Sequence, residues 1–290
     1  YWTWGEKSRD NIMGSRSATD PHQAVVGGNL WVAKWLDGDE PDIGDEFEAF
    51  LGRLQHVEKV ILMSIQPIDG TLPDHVVEAM RASPPSWLWL IRLHPLQREQ
   101  LEQVRTKIGQ YGIQNFEVDY ATRTPLYALL KRTHHHLTYW SSVCYEALAF
   151  NVPTTIVHRM GLQYFKDFVD QGLFTYAQSS QEIITAIKGH RANKGLEEAQ
   201  SYYIQTERQQ AEETVSVIMK NSRFNSEQSK ADGEANIASW PGRFVASADG
   251  FLSLQTAIIS NIALNYHLSL QKELEQARVE LERAKAEAEQ

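Results

Sequence analysis

From about residue 57 to 190 the chain alternates short apolar runs with stretches of helical spacing. KVILMS (59–64) is followed by PDHVVEAMRAS (73–83), and WLWLIRL (87–93) by QREQLEQVRTKIGQYG (97–112). FEV (116–118) precedes TPLYALLKR (124–132), and LTYW (137–140) precedes SVCYEALAF (142–150). TTIVH (154–158) leads to GLQYFKDFVDQG (161–172), and FTYA (174–177) to SSQEIITAIKG (179–189). The helical stretches carry their own punctuation. Pro73 suits a first turn, Asp74 adds early-turn negative charge, and Gly112 is a C-terminal stop. Apolar strands alternating with helices must be covered on both faces, so the expected fold is α/β with a parallel sheet. No fixed-period repeat exists, which leaves the βαβ unit rather than a solenoid.

The flanks differ from this middle. Residues 1–33 hold three tryptophans and the turn-like VVGGNLW, and read as the edge of something preceding. That leaves 34–190 as the sheet domain and 191–290 as a helical extension. Within the extension, 196–220 reads as a strong helix and 221–242, rich in Ser, Asn and Gly, as a flexible connector. In the tail, Leu270, Ala277 and Ala284 share one heptad position and Leu274, Leu281 and Ala288 another. A short coiled coil and a single charged helix both fit.

Composition narrows the classes of function. The formal charge of −9 over 290 residues argues against a dedicated DNA or RNA binder, while leaving room for a local basic pocket. One cysteine rules out an internal disulfide framework and fits a reducing compartment. No run of about 18 apolar residues exists. The nearest case, the twenty residues from Phe251, is interrupted by Ser, Gln, Asn and His and reads as an amphipathic helix. The opening YWTWGEKSRD has neither an initiator methionine nor a signal sequence, so the natural start is expected upstream.

In an open parallel sheet, ligands sit beyond the carboxyl ends of the strands. The polar residues there are Ser64 and Gln66, Arg92 and His94, Ser141 and Ser142, and His158 and Arg159. The set suits an anion. Ser141 or Ser142 would open a helix whose free N–H groups and dipole attract phosphate oxygens; a plain serine N-cap is the other reading. Glu146 lies one turn beyond Ser142 on the same face, placed to accept sugar hydroxyls or else solvated. Arg92 is set aside, because it alternates with Leu93 and joins the face of His94 only past the strand end. His134, His135 and His136 are consecutive and cannot all face one metal in a strand. Cys144 reads as a buried, inert thiol. The W-S-S-V-C string lacks the nucleophile turn of serine hydrolases, and Gly27-Gly28 lacks the rest of a dinucleotide fingerprint.

Three stretches carry a family resemblance. EALAFNVPT (146–154) resembles the E-A-x-A-x-G-x-P stretch of glycosyltransferases with the GT-B fold. Asn151 stands at the usual glycine, and Asn is the next residue most tolerant of a left-handed helix end. RLHP (92–95) and YWSS (139–142) resemble the HP and S-S/T motifs of bacterial sialyltransferases and capsule polysaccharide transferases. Similar elements occur in teichoic-acid glycerophosphotransferases. VVGGNLWVAKW resembles the linker between the two domains of such enzymes, and the whole resemblance covers about residues 25 to 190.

The resemblance implies the C-terminal half of a GT-B enzyme, a Rossmann-like parallel sheet with helices on both faces. Residues 1–33 would then end an acceptor-side domain and its linker. It implies that His94 contacts the donor phosphates, with Ser141 and Ser142 beside it. Gln66, from its strand end, and Glu146, from its place one turn past Ser142, complete the expected nucleotide site. His94 is the catalytic candidate: a neutral N–H, with serine hydroxyls and helix N–H groups, stabilises charge developing on the leaving phosphate. The implied ligands are a CMP- or UDP-linked sugar and a glycan acceptor in surface polysaccharide synthesis, with no metal or other cofactor and no nucleic acid. A cytoplasmic location follows, open to peripheral association at the inner membrane face, and the C-terminal helix is open to self-association. No acidic residue stands out as a catalytic base. A sugar-nucleotide 2-epimerase-like enzyme, which shares the fold, and a non-catalytic donor-fold module used for assembly are the alternatives.

Overall fold

The computed structural model describes residues 1–14, 24–66, 72–189 and 196–218, all within one compact unit. The connector over 221–242, the helix expected from Phe251 and the heptad tail lie outside the described residues. In chain order the elements begin with β1 (Trp2–Thr3), α1 (Glu6–Gly14), β2 (Val25–Val26), α2 (Leu30–Leu36) and α3 (Asp45–Leu54). There follow β3 (Lys59–Ser64), α4 (Asp74–Ala82), β4 (Trp87–Arg92), a 3-10 turn (Pro95–Gln100), α5 (Leu101–Gln110) and β5 (Phe116–Glu117). Next come α6 (Asp119–Arg123), α7 (Leu126–Leu130), β6 (His135–Thr138), α8 (Val143–Ala149) and β7 (Thr154–Ile156). The last are α9 (Arg159–Tyr164), α10 (Lys166–Asp170), β8 (Phe174–Tyr176), α11 (Ser180–Lys188) and α12 (Leu196–Tyr203).

Six strands form one sheet in the order β5-β4-β3-β6-β7-β8, every pair parallel. The α/β expectation of a parallel sheet between helices therefore holds. Its physical basis is the pleat: Ile61, Met63, Trp89 and Ile91 pack with Val76, Met80, Val104 and Ile183 on one face. Val60, Leu62 and Leu90 pack with Trp35, Phe50, Leu54 and Leu129 on the other. Full burial of each such side chain contributes about 1.5–3 kcal/mol. Both faces are covered, which is why KVILMS and WLWLIR read as continuous apolar runs rather than alternating ones. No helix among the described residues is long and apolar enough to cross a membrane.

Register brings the strand ends level. Ser64 pairs with Arg92 on one side and Thr138 on the other, Thr138 with Ile156, and Ile156 with Tyr176. The loops that follow all leave from one edge.

Three expected elements are corrected. The strand expected at 137–140 begins at His135 and ends at Thr138, leaving Tyr139 and Trp140 in the loop. Histidines enter this central strand because their neighbours supply hydroxyls: His136 Nδ1 and Nε2 face Thr154 Oγ1 at 3.3 Å and Ser64 Oγ at 3.1 Å. His135 Nε2 faces Thr155 Oγ1 at 2.8 Å. The helix expected over 161–172 is two short ones, broken where Phe165 turns into an aromatic cluster with Phe168 and Phe174. The helix expected over 196–220 stops at Tyr203 and resumes over 208–218. At the break, Gln205 N–H donates to Trp4 O at 2.6 Å, and Asn29 N–H donates to Gln205 O at 2.8 Å. Gly28 permits this junction: its φ is +75°, and a Cβ there would lie 2.5 Å from Gln205 O.

Candidate functional site

The level strand ends gather the candidate residues. Gln66, buried, follows β3; His94 follows β4; Ser141 and Ser142 follow β6; His158 and Arg159 follow β7. With neighbouring strands about 4.8 Å apart, the ends of β4 and β6, either side of β3, are about 10 Å apart. That span suits a phosphorylated ligand lying across β3.

His94 is held by its own turn. Its Nδ1 accepts from Leu96 N–H at 3.3 Å, capping the 3-10 turn in which Pro95 takes the first position. The ring proton therefore sits on Nε2. Burial lowers the histidine's pKa, so this is a neutral ring with one N–H donor to offer. His158 repeats the arrangement after β7, its Nδ1 accepting from Met160 N–H at 3.2 Å. Trp140 lies against it, ring centroids 4.9 Å apart.

Ser142 opens α8 with an exposed side chain that makes no capping bond to the helix. Ser141 Oγ takes that duty, accepting from Val143 N–H at 3.3 Å. The turn is tied down from below. Thr138 Oγ1 donates to Ser64 O at 2.9 Å and accepts from Ser141 N–H at 3.2 Å. Thr138 thus links the β3 and β6 ends, a role invisible without the register.

Glu146 is not a solvated helix glutamate. It is 2 % exposed, and its Oε2 has no hydrogen-bond partner among the described residues. Burial pushes its pKa up to about 8, opposed by its own backbone N–H and by the positive charge of Arg92. Burial also holds Tyr127 and Cys144 above their ordinary pKa. Cys144 is wholly buried, as an inert thiol would be.

Arg92, set aside on sequence, turns toward the segment after β5. Its Nη1 donates to the carbonyls of Ala121 and Thr124, each at 2.7 Å. The signal for it was one charged residue closing an apolar strand. The histidine run gathers no metal site, since no group of three or more metal-ligating side chains forms among the described residues. His134 turns away, its Nδ1 accepting from Val60 N–H at 3.0 Å.

Behind the serines, α8 ends as expected. Asn151 has φ 58°, Asn151 N–H donates to Leu148 O at 3.1 Å, and Val152 N–H donates to Ala147 O at 2.8 Å. This is the paired C-terminal cap that requires a left-handed residue.

No family model matches the chain, and no curated protein matches it. Solved structures do match in fold. The UDP-GlcNAc 2-epimerase of Methanocaldococcus jannaschii, in complex with UDP-GlcNAc and UDP, gives a TM-score of 0.51 at 14% identity, covering 74% of this chain and 59% of that one. Another structure of that enzyme gives 0.50 at 13%, covering 73% and 60%. WaaG, a glycosyltransferase involved in lipopolysaccharide biosynthesis, gives 0.42 at 16%, covering 75% and 62%. The chain spans about three fifths of the length of these structures. At such identities the likeness to the two epimerase structures is one of fold.

Proposed function

We propose that the chain binds a nucleotide-linked sugar at the carboxyl edge of its sheet, as the donor half of a GT-B glycosyltransferase. The acceptor would be a surface polysaccharide or another glycan. The observation that carries this reading is Glu146. A buried carboxyl with an unpartnered oxygen is costly to keep. One turn past Ser142, it suits the hydroxyls of a ribose or sugar whose phosphate lies at the serines. The neutral Nε2–H of His94 and the hydroxyls of Ser141 and Ser142 then face the phosphate oxygens on which charge grows as the sugar leaves. Fixed donors of this kind act most strongly at the transition state.

The test is a thermal-shift screen of CMP, CDP, UDP and GDP against the chain and its His94→Ala and Glu146→Gln variants. Stabilisation by one nucleotide that disappears in His94→Ala supports the reading. No shift with any nucleotide sinks it. The epimerase reading shares the fold and would show itself differently, as conversion of UDP-GlcNAc to its 2-epimer with no acceptor present.

A further inference from the structure

The face of β6 that lies beneath α8 is polar where a central strand would ordinarily be apolar. His136 and Thr138, two positions apart and so on one face, are fully buried, and Thr154 pairs with His136 from β7. Ala147 of α8 packs in one cluster with Leu62, and Cys144 and Leu148 in another with Ile156. These are the strand partners of His136 and Thr138, so the helix that follows the serines rests on this face. Its hydrogen bonds form one chain. Thr154 Oγ1 donates to Val152 O at 3.4 Å, which leaves it to accept from His136 Nδ1–H at 3.3 Å. His136 Nε2 is then the acceptor, and Ser64 Oγ–H donates to it at 3.1 Å. Thr138 Oγ1 donates to Ser64 O at 2.9 Å and accepts from Ser141 N–H at 3.2 Å. Each hydroxyl and ring proton of the chain thus has an acceptor. Burial holds the His136 pKa down at about 3, so the ring stays neutral and the chain keeps this direction near neutral pH. Valine and isoleucine would fill the same positions with no polar group to satisfy.

We infer that Thr138 is a positioning residue of the nucleotide site: its hydroxyl sets the backbone of Ser141 against the end of β3, which Thr154, His136 and Ser64 in turn hold in place. This rests on the nucleotide reading given above. Thr138 is fully buried, so it acts through Ser141 rather than on the ligand. Ser141 Oγ is drawn back to Val143 N–H, and the exposed Ser142 hydroxyl, which makes no capping bond, is the one the turn presents outward. The same Thr138 hydroxyl keeps that turn level with Gln66, two residues past Ser64. A phosphate bound there meets a turn whose position is already set, so less freedom is lost on binding.

The test uses the whole chain and its Thr138→Val, Thr138→Ser and Ser64→Ala variants. Affinity is measured by calorimetry with whichever of CMP, CDP, UDP and GDP stabilises the native chain, beside thermal melts without ligand. Thr138→Val keeps the shape and removes the hydroxyl, and is expected to weaken binding about fivefold. Thr138→Ser keeps the hydroxyl and should restore the affinity, although the lost buried methyl lowers its Tm. Affinity and Tm thus part company, which a merely structural role would not produce. Ser64→Ala cuts the chain below Thr138 and should weaken binding in the same direction; native affinity there strikes His136 and Ser64 from the role. Native affinity in Thr138→Val, when the native chain binds nucleotide, overturns the positioning role alone. Equal losses in Thr138→Val and Thr138→Ser also overturn it, since the hydroxyl is then not the cause. A native chain that binds no nucleotide overturns the nucleotide reading, and this role with it. Should Thr138→Val not fold, the other two variants decide. Weakened binding in Ser64→Ala with native binding in Thr138→Ser supports the role, and any other pair of results overturns it.

Discussion

The carbonyl oxygen of Tyr139 occupies the space where Gly161 would carry a side chain, 1.7 Å from the ideal Cβ position. Helix α9 therefore lies directly on the loop that precedes the serines. Gly161→Ala must push that loop or the helix aside. A loss of about 3 kcal/mol is expected, seen as a Tm lower by about 10 °C in thermal unfolding.

Asn151 holds a left-handed conformation that few side chains tolerate. Asn151→Gly should stay within about 0.5 kcal/mol of the native stability. Asn151→Val should lose about 1–2 kcal/mol. Denaturant titration distinguishes the two, and equal losses would count against the backbone as the cause.

Glu146 predicts a pH dependence of a definite sign. Its folded pKa of about 8 lies above the ordinary carboxylate range. The stability contributed by keeping the proton is thus fully present below the unfolded pKa of about 4.3. It is lost as pH rises through about 8. Glu146→Gln cannot ionise, so it should gain stability relative to the native chain between those limits, measured by unfolding at several pH values.

His94→Ala and Ser142→Ala remove donors from the phosphate side. Each is expected to weaken nucleotide binding about tenfold. Ser142→Ala should leave Tm without ligand almost unchanged. His94→Ala also loses the cap on Leu96 N–H and should lower stability by about 1 kcal/mol. Calorimetry beside a thermal melt separates the two effects. Loss of Tm with unaltered affinity would assign these residues to folding.

The apolar runs of β3 and β4 were legible because both faces of the sheet are covered, and no tertiary detail alters a run of that kind. Asn151 was legible because helix-end chemistry is local. The start of β6 was not, since His135 and His136 are acceptable in a central strand only through hydroxyls contributed by β3 and β7. The direction of Arg92 was not legible for a related reason. Alternation fixes where a side chain leaves a strand, but a long side chain at the last position chooses its own direction past the end. The break after Tyr203 is another such case, because what interrupts the helix is backbone from the opposite end of the unit.

The meeting of Gly28 and Gln205 has a kinetic consequence. Two segments nearly the whole unit apart in sequence close on each other through backbone bonds, so the fold's longest loop is also a structural seam. Contacts of such separation repay their loop-closure entropy late. A chain emerging in order can assemble β3 to β8 first, while Trp4 and Asn29 wait for Gln205, which is synthesised after all of them. The seam is then the last part to form and the first to open.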